Sequence, residues 1–150
     1  MESIYTDGSY LKANPGWHSQ DGAWKLTHVQ RALAQAGVAA ALSTVCDIGC
    51  GSGELVKTWA RQRPDMQFTG CEISPQAYAL CVQNAPGNVR FVQGDAPGGG
   101  PFDAVLAVDV MEHVPEPEKF LDGLHKLSDI AVLHVPLDLA FRTLIKPEIL

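Results

Sequence analysis

The chain has 150 residues, 46% of them apolar and 19% charged, and a formal net charge of −6. That length supports one domain with a substantial core, and the composition is that of a folded globular chain, not an extended disordered one. Acidity without a Lys/Arg run argues against a nucleic-acid partner, no apolar run is long enough to span a bilayer, and the acidic start MESIYTDG is no signal peptide, so the default location is cytoplasmic.

Taken in chain order, the first twenty-odd residues are dense in Gly, Asn, Asp and Pro, with Tyr5, Tyr10, Trp17 and Trp24 interleaved. Asp7-Gly8 and Asn14-Pro15-Gly16 are turn signals, so residues 1–23 read as an irregular arm. The arm either covers one face of the domain or forms a lid, with Tyr10, Trp17 or His18 facing a substrate. Asp21 is placed to cap a helix reaching about Ala36, because Leu26, Val29, Leu33 and Ala36 recur at helical spacing and Gly37 is a natural stop.

A short buried strand follows at 44–48, β-branched and apolar, and then a helix at 54–61 that ends before Pro64. The second strand is expected at 67–73. Ser74-Pro75 opens a helix as cap and first-turn proline, with Ala77, Leu80 and Cys81 on its inward stripe. Strands at 89–92 and 102–108 flank the glycine- and proline-rich loop 96–101. Pro115 and Pro117 start a helix with Phe120, Leu121, Leu124 and Leu127 on one face, and 130–135 is the fifth strand. Strands alternating with helices imply an α/β fold with a parallel sheet covered on both faces. Cys46, Cys50, Cys71 and Cys81 form no C-x-x-C pair and read as packed thiols, neither a zinc site nor disulfides.

The stretch TVCDIGCGSGELV, residues 44–56, organises the rest. Strand, glycine-rich turn and helix let a ligand approach bare backbone at the positive end of a helix. A dinucleotide fingerprint, G-x-G-x-x-G, needs its third glycine at position 54, but that residue is Glu54, a carboxylate where a pyrophosphate would be repelled. The pattern D-x-G-x-G-x-G, with Asp47 ahead of Gly49, Gly51 and Gly53, suits a ligand carrying a cationic amine.

This motif resembles the first motif of the class I S-adenosylmethionine-dependent methyltransferases, and three more motifs follow in the order of that family between Trp24 and Val135. The resemblance implies a Rossmann-like, doubly wound parallel sheet of order 3-2-1-4-5, with S-adenosylmethionine as cofactor. It implies that the glycines approach the methionine carboxylate and that Asp47 faces the amino group through water. Glu72, at the end of the second strand, is placed for the ribose hydroxyls, with Ile73 packing on the adenine. Asp95 and Ala96 are placed for the adenine edge, although Asp95 is equally a common turn residue. Val108 and Asp109 fall beside the sulfonium, and His113 near the acceptor, either as a general base or as part of a polar lead-in to the next helix. His134, inside the fifth strand, reads as a satisfied core histidine.

The expected reaction is transfer of a methyl group to an O or N of a small molecule by in-line displacement, with Asp109 and His113 as the catalytic candidates. Asp109, Glu112 and His113 also resemble the acidic-acidic-His cluster of metal-dependent O-methyltransferases, which makes a metal-dependent enzyme one alternative. A nucleotide-binding oxidoreductase is another, disfavoured by Glu54. The apolar segment 137–150 stands where the family normally adds strands 6 and 7 as an antiparallel hairpin. The core 24–136 therefore reads as a cofactor-binding domain without its C-terminal part, and an inactive binding fragment is a further alternative. An open edge on the fifth strand invites self-association.

Overall fold

The structure is a computed structural model that describes residues 19–136. The arm residues Tyr5, Tyr10, Trp17 and His18 and the apolar tail 137–150 lie outside the described residues. Among the described residues the first helix, α1 (Gly22–Gln35), follows a 3-10 turn, Ser19–Asp21. Trp24, grouped with the arm by composition, belongs to this helix. Asp21 stands at its N-cap position but makes no side-chain capping bond, because its backbone is already helical (φ −88°, ψ −11°).

After α1 come β1 (Thr44–Ile48), α2 (Glu54–Gln62), β2 (Gln67–Glu72), α3 (Pro75–Cys81), β3 (Val89–Gln93), β4 (Ala104–Val108), α4 (Pro117–Leu127) and β5 (Ala131–His134). The capping signal at Ser74 is realised: its Oγ accepts the Ala77 N–H at 3.3 Å, with Pro75 in the first turn. The fourth strand starts later than its apolar run suggests. Asp103 instead folds back on the start of β1, where its carboxylate accepts the Ser43 and Thr44 N–H groups, each at 2.8 Å.

All five strands are parallel, in the order β3-β2-β1-β4-β5. Strand residues send alternate side chains to opposite faces, and both faces are covered. Val45, Ala104 and Leu106 join Leu26, Val29 and Leu33 of α1 and Leu55, Val56 and Trp59 of α2. Cys46, Ile48, Val105 and Ala107 join Leu124 of α4 on the other face. Leu26, Val29 and Leu33 are almost wholly buried, each contributing about 1.5–3 kcal/mol. β5 pairs with β4 on one side and with no strand on the other among the described residues. No helix among the described residues is long and apolar enough to cross a membrane.

The β1–α2 turn is tied to this packing through Gly53. Its φ is +74°, and a Cβ there would lie 2.7 Å from Phe91 and 3.3 Å from the Cys81 sulfur. Gly37 has a similar φ of +73° but open space around it. Gly37→Ala is expected to cost about 1 kcal/mol, the backbone penalty alone. Gly53→Ala adds a steric clash and is expected to cost at least about 2 kcal/mol. Urea unfolding of both variants checks this; equal losses would show that Phe91 moves aside freely.

Candidate functional site

Strand order reverses between β1 and β4, and a parallel sheet leaves a crevice beyond the carboxyl ends of its strands at that point. A cleft of about 780 Å³ opens there, walled by the ends of β1, β2, β4 and β5 and by the first turn of α1. Of the residues singled out by sequence, Asp47, Gly49, Gly51, Glu72, Ile73, Val108, Asp109 and His113 line it.

At one end of the cleft two carboxylates come from the neighbouring buried strands β1 and β2. Asp47 is 2% exposed, since β1 is the central strand, with neighbours on both sides. Its Oδ1 is buried without a hydrogen-bond partner among the described residues. Burial first, and then the nearby Glu72 carboxylate, push its pKa up to about 8, against the opposing pull of Lys25. Glu72 is also buried, and burial raises its pKa even though Ser74, Gly51 and Ile73 backbone groups favour its charged form. Its Oε2 accepts the Gly51 N–H and its Oε1 the Ser74 N–H, both at 2.8 Å. Glu72 therefore clamps the glycine turn to the end of β2. Cys81 holds the same turn from below, donating its S–H to the Gly51 carbonyl at 2.9 Å.

The three glycines do different work. A Cβ on Gly49 would strike Val110 at 2.6 Å, and Gly53 packs on Phe91, as described above. Gly51, also at positive φ (+59°), is the one of the three with nothing among the described residues within 4 Å of the place a Cβ would occupy, so its bare backbone faces the cleft. An orphaned buried carboxylate beside an uncrowded glycine turn is a site that fits a ligand with an ammonium group and a flat polar body.

At the other end, Asp109 takes up a left-handed backbone (φ +57°), which is uncommon for a residue other than glycine. Its N–H donates to the His134 carbonyl at 2.9 Å. Its Oδ1 lies 2.5 Å from His134 Nδ1 and its Oδ2 lies 2.7 Å from Lys25 Nζ. Burial works against ionisation of Asp109, but Lys25 and His134 outweigh it and hold the carboxyl below the usual range. His134 is not a core histidine. It closes β5, lines the cleft, and stacks edge-on with Trp24, ring centroids 6.2 Å apart. Sequence reading missed Lys25, Trp24 and His134 as site residues, and nothing near them in the chain signals the role: α1 and β5 meet only in the fold.

Three predicted residues stand elsewhere. Gly53 packs beneath the turn, and Asp95 and Ala96 are exposed and away from the cleft wall. The ladder ends when the Gly94 N–H donates to the Glu72 carbonyl, and the chain then leaves the edge of the sheet. Asp109, Glu112 and His113 do not converge as metal ligands either. Both Asp109 oxygens are engaged, His113 Nε2 lies 3.9 Å from Glu112, and no group of three or more His, Cys, Asp or Glu among the described residues is arranged to hold a metal. The four cysteines are free thiols, as their spacing suggests.

Residues 46–129 match the family model described as a methyltransferase domain. The release factor glutamine methyltransferase of Chlorobaculum tepidum is 33% identical over 106 residues, covering 62% of this chain and 35% of that protein. The mitochondrial ubiquinone biosynthesis O-methyltransferase of Schizosaccharomyces pombe is 32% identical over 89 residues, covering 53% of this chain and 32% of that protein. Among solved structures, an S-adenosylmethionine-dependent methyltransferase from Thiobacillus denitrificans in complex with S-adenosyl-L-homocysteine aligns with a TM-score of 0.55 and 26% identity, over 70% of this chain and 44% of that one. The chain spans 32% to 51% of the length of the first curated relatives it matches. The family match runs from within β1, through the glycine turn after Asp47, to just past α4, and the sheet order and the ligand of its structural relative agree with it. The chain belongs to the class I S-adenosylmethionine-dependent methyltransferases, and its cofactor is S-adenosylmethionine.

Proposed function

We propose that this chain transfers a methyl group from S-adenosylmethionine to an oxygen or nitrogen of a small molecule. The observation that carries the reading is Asp47, a buried carboxylate whose Oδ1 lacks a partner among the described residues, beside the open face of Gly51. An ammonium group supplies what that oxygen lacks, and the turn accepts the methionine part of the cofactor against bare backbone. Glu72 is the acceptor for the ribose hydroxyls, with Ile73 and Val108 as apolar walls of the same cleft. Asp95 and Ala96 serve the adenine only if the loop after β3 folds in over the cleft.

The cofactor supplies an activated methyl group on a sulfonium. The protein's part is to align the acceptor for in-line attack and, where the acceptor carries a proton, to take it. Asp109, His113 and His134 stand at the end of the cleft away from Glu72 for that purpose. The relatives named above include both an O-methyltransferase and a glutamine methyltransferase, so oxygen and nitrogen both stay within the proposal. A net charge of −6 supports a small-molecule acceptor over a nucleic acid.

Calorimetric titration with S-adenosylhomocysteine tests the assignment. The wild-type chain is expected to bind, and Glu72→Ala and Gly51→Val each to weaken binding at least tenfold, about 1.4 kcal/mol. Unchanged affinity in both variants would overturn it.

Asp47 also leaves a signature in the ligand-free protein. Its folded pKa of about 8 lies above its ordinary 3.8, so the native state keeps a proton that the unfolded chain has lost across that window. This group therefore makes stability fall as pH rises from about 4 to about 8. Asp47→Asn is expected to remove that contribution, so that the stability difference between variant and wild type moves in the variant's favour with rising pH. Urea midpoints at several pH values measure it, and a pH-independent difference would show Asp47 to be ionised throughout.

A further inference from the structure

We propose that His134 is the group that takes the proton from the methyl acceptor, and that Asp109 positions it; the inference rests on the methyl-transfer reading above. Among the described residues two histidines line the cleft, His113 and His134. His113 sits in the 3-10 turn Met111–His113 with a side chain 46% exposed, 3.9 Å from Glu112. His134 is held by several specific contacts. Its carbonyl accepts the Asp109 N–H at 2.9 Å, its Nδ1 lies 2.5 Å from Asp109 Oδ1, and its ring is flanked by Trp24 and His28.

This arrangement fixes the tautomer. Asp109 faces the Lys25 ammonium at 2.7 Å through its other oxygen, so it is an ionised acceptor and Nδ1 must carry the hydrogen between the two side chains. Nε2 is then the nitrogen with the lone pair, and it has no hydrogen-bond partner among the described residues. The left-handed backbone of Asp109 is the kind of local cost retained where a side chain must point in one direction. A carboxylate on Nδ1 that orients the ring and opposes its positive charge is the logic of an acid-oriented histidine base.

Atoms and charge balance in this step. The acceptor oxygen or nitrogen forms its bond to the methyl carbon as the carbon–sulfur bond breaks, and that electron pair stays on sulfur. The acceptor's proton moves to Nε2. One positive charge leaves the sulfonium and one appears on the imidazole, opposite Asp109.

Two measurements on the full chain decide the proposal. Long-range proton–nitrogen NMR of histidine-labelled protein is expected to show the His134 tautomer with its hydrogen on Nδ1, and Asp109→Asn to shift the hydrogen to Nε2, because the amide offers an N–H to Nδ1. A wild-type ring with its hydrogen on Nε2 would overturn the proposal without reference to any acceptor. Methyl transfer to 3,4-dihydroxybenzoate, used as a hydroxyl probe, is expected to fall at least about 100-fold in kcat in His134→Gln, with KM and S-adenosylhomocysteine affinity unmoved. Wild-type kcat in that variant would overturn the base. Failure of the unmutated chain to bind S-adenosylhomocysteine would instead overturn the methyl-transfer reading on which the proposal rests.

Discussion

The site depends on a carboxylate placed where a protein ordinarily puts Val or Ile. β1 is the central strand of a parallel sheet, flanked by β2 and β4 and covered on both faces. Asp47 on that strand is cut off from water, and desolvation is the largest cause of its raised pKa. Leaving a polar group buried and unpaired costs on the order of 1–3 kcal/mol, which the surrounding core must offset. A short carboxylate near the end of the central strand, facing a crevice made by the reversal of strand order, is a cost that makes sense if a cationic ligand completes it.

The remaining geometry divides the cleft by charge. Near β2, Asp47 and Glu72 stand close enough to raise the pKa of Asp47. Near β5, Asp109 has its charge balanced by Lys25 and shared with His134. Lys25 reaches both regions: it binds Asp109 directly and lowers the pKa of Asp47 through space. A helix that packs its Leu26, Val29 and Leu33 into the core thus carries, one residue from Leu26, the cation that links the two ends. In the proposed reading the first end holds the donor and the second manages the acceptor's proton.

How much of this was legible before the fold is clearest from individual residues. The D-x-G-x-G-x-G spacing, the Ser74-Pro75 helix start and the alternation of strand and helix are local, and each appears in the structure where the sequence places it. The sheet order follows from the family resemblance combined with that alternation. Local pattern does not distinguish Gly51, which faces the cleft, from Gly53, which packs on Phe91, because the difference lies in residues about thirty to forty positions away. Nor does it show that Lys25, Asp109 and His134 meet, since three separate elements supply them. Asp95 is the converse case: its spacing after a strand suggests the site, and the structure leaves it exposed on the loop after the edge strand β3, outside the cleft lining.

In the proposed reading Asp47 is protonated in the free protein and is ionised by the cofactor's ammonium group. Titration of the chain with S-adenosylhomocysteine at pH 7, in buffers of different ionisation enthalpy, counts the protons exchanged on binding. With a free-state pKa of about 8, release of close to one proton per ligand bound is expected, and its loss in Asp47→Asn. Binding with no proton release in wild type would contradict the reading, because Asp47 would then be charged before the ligand arrives.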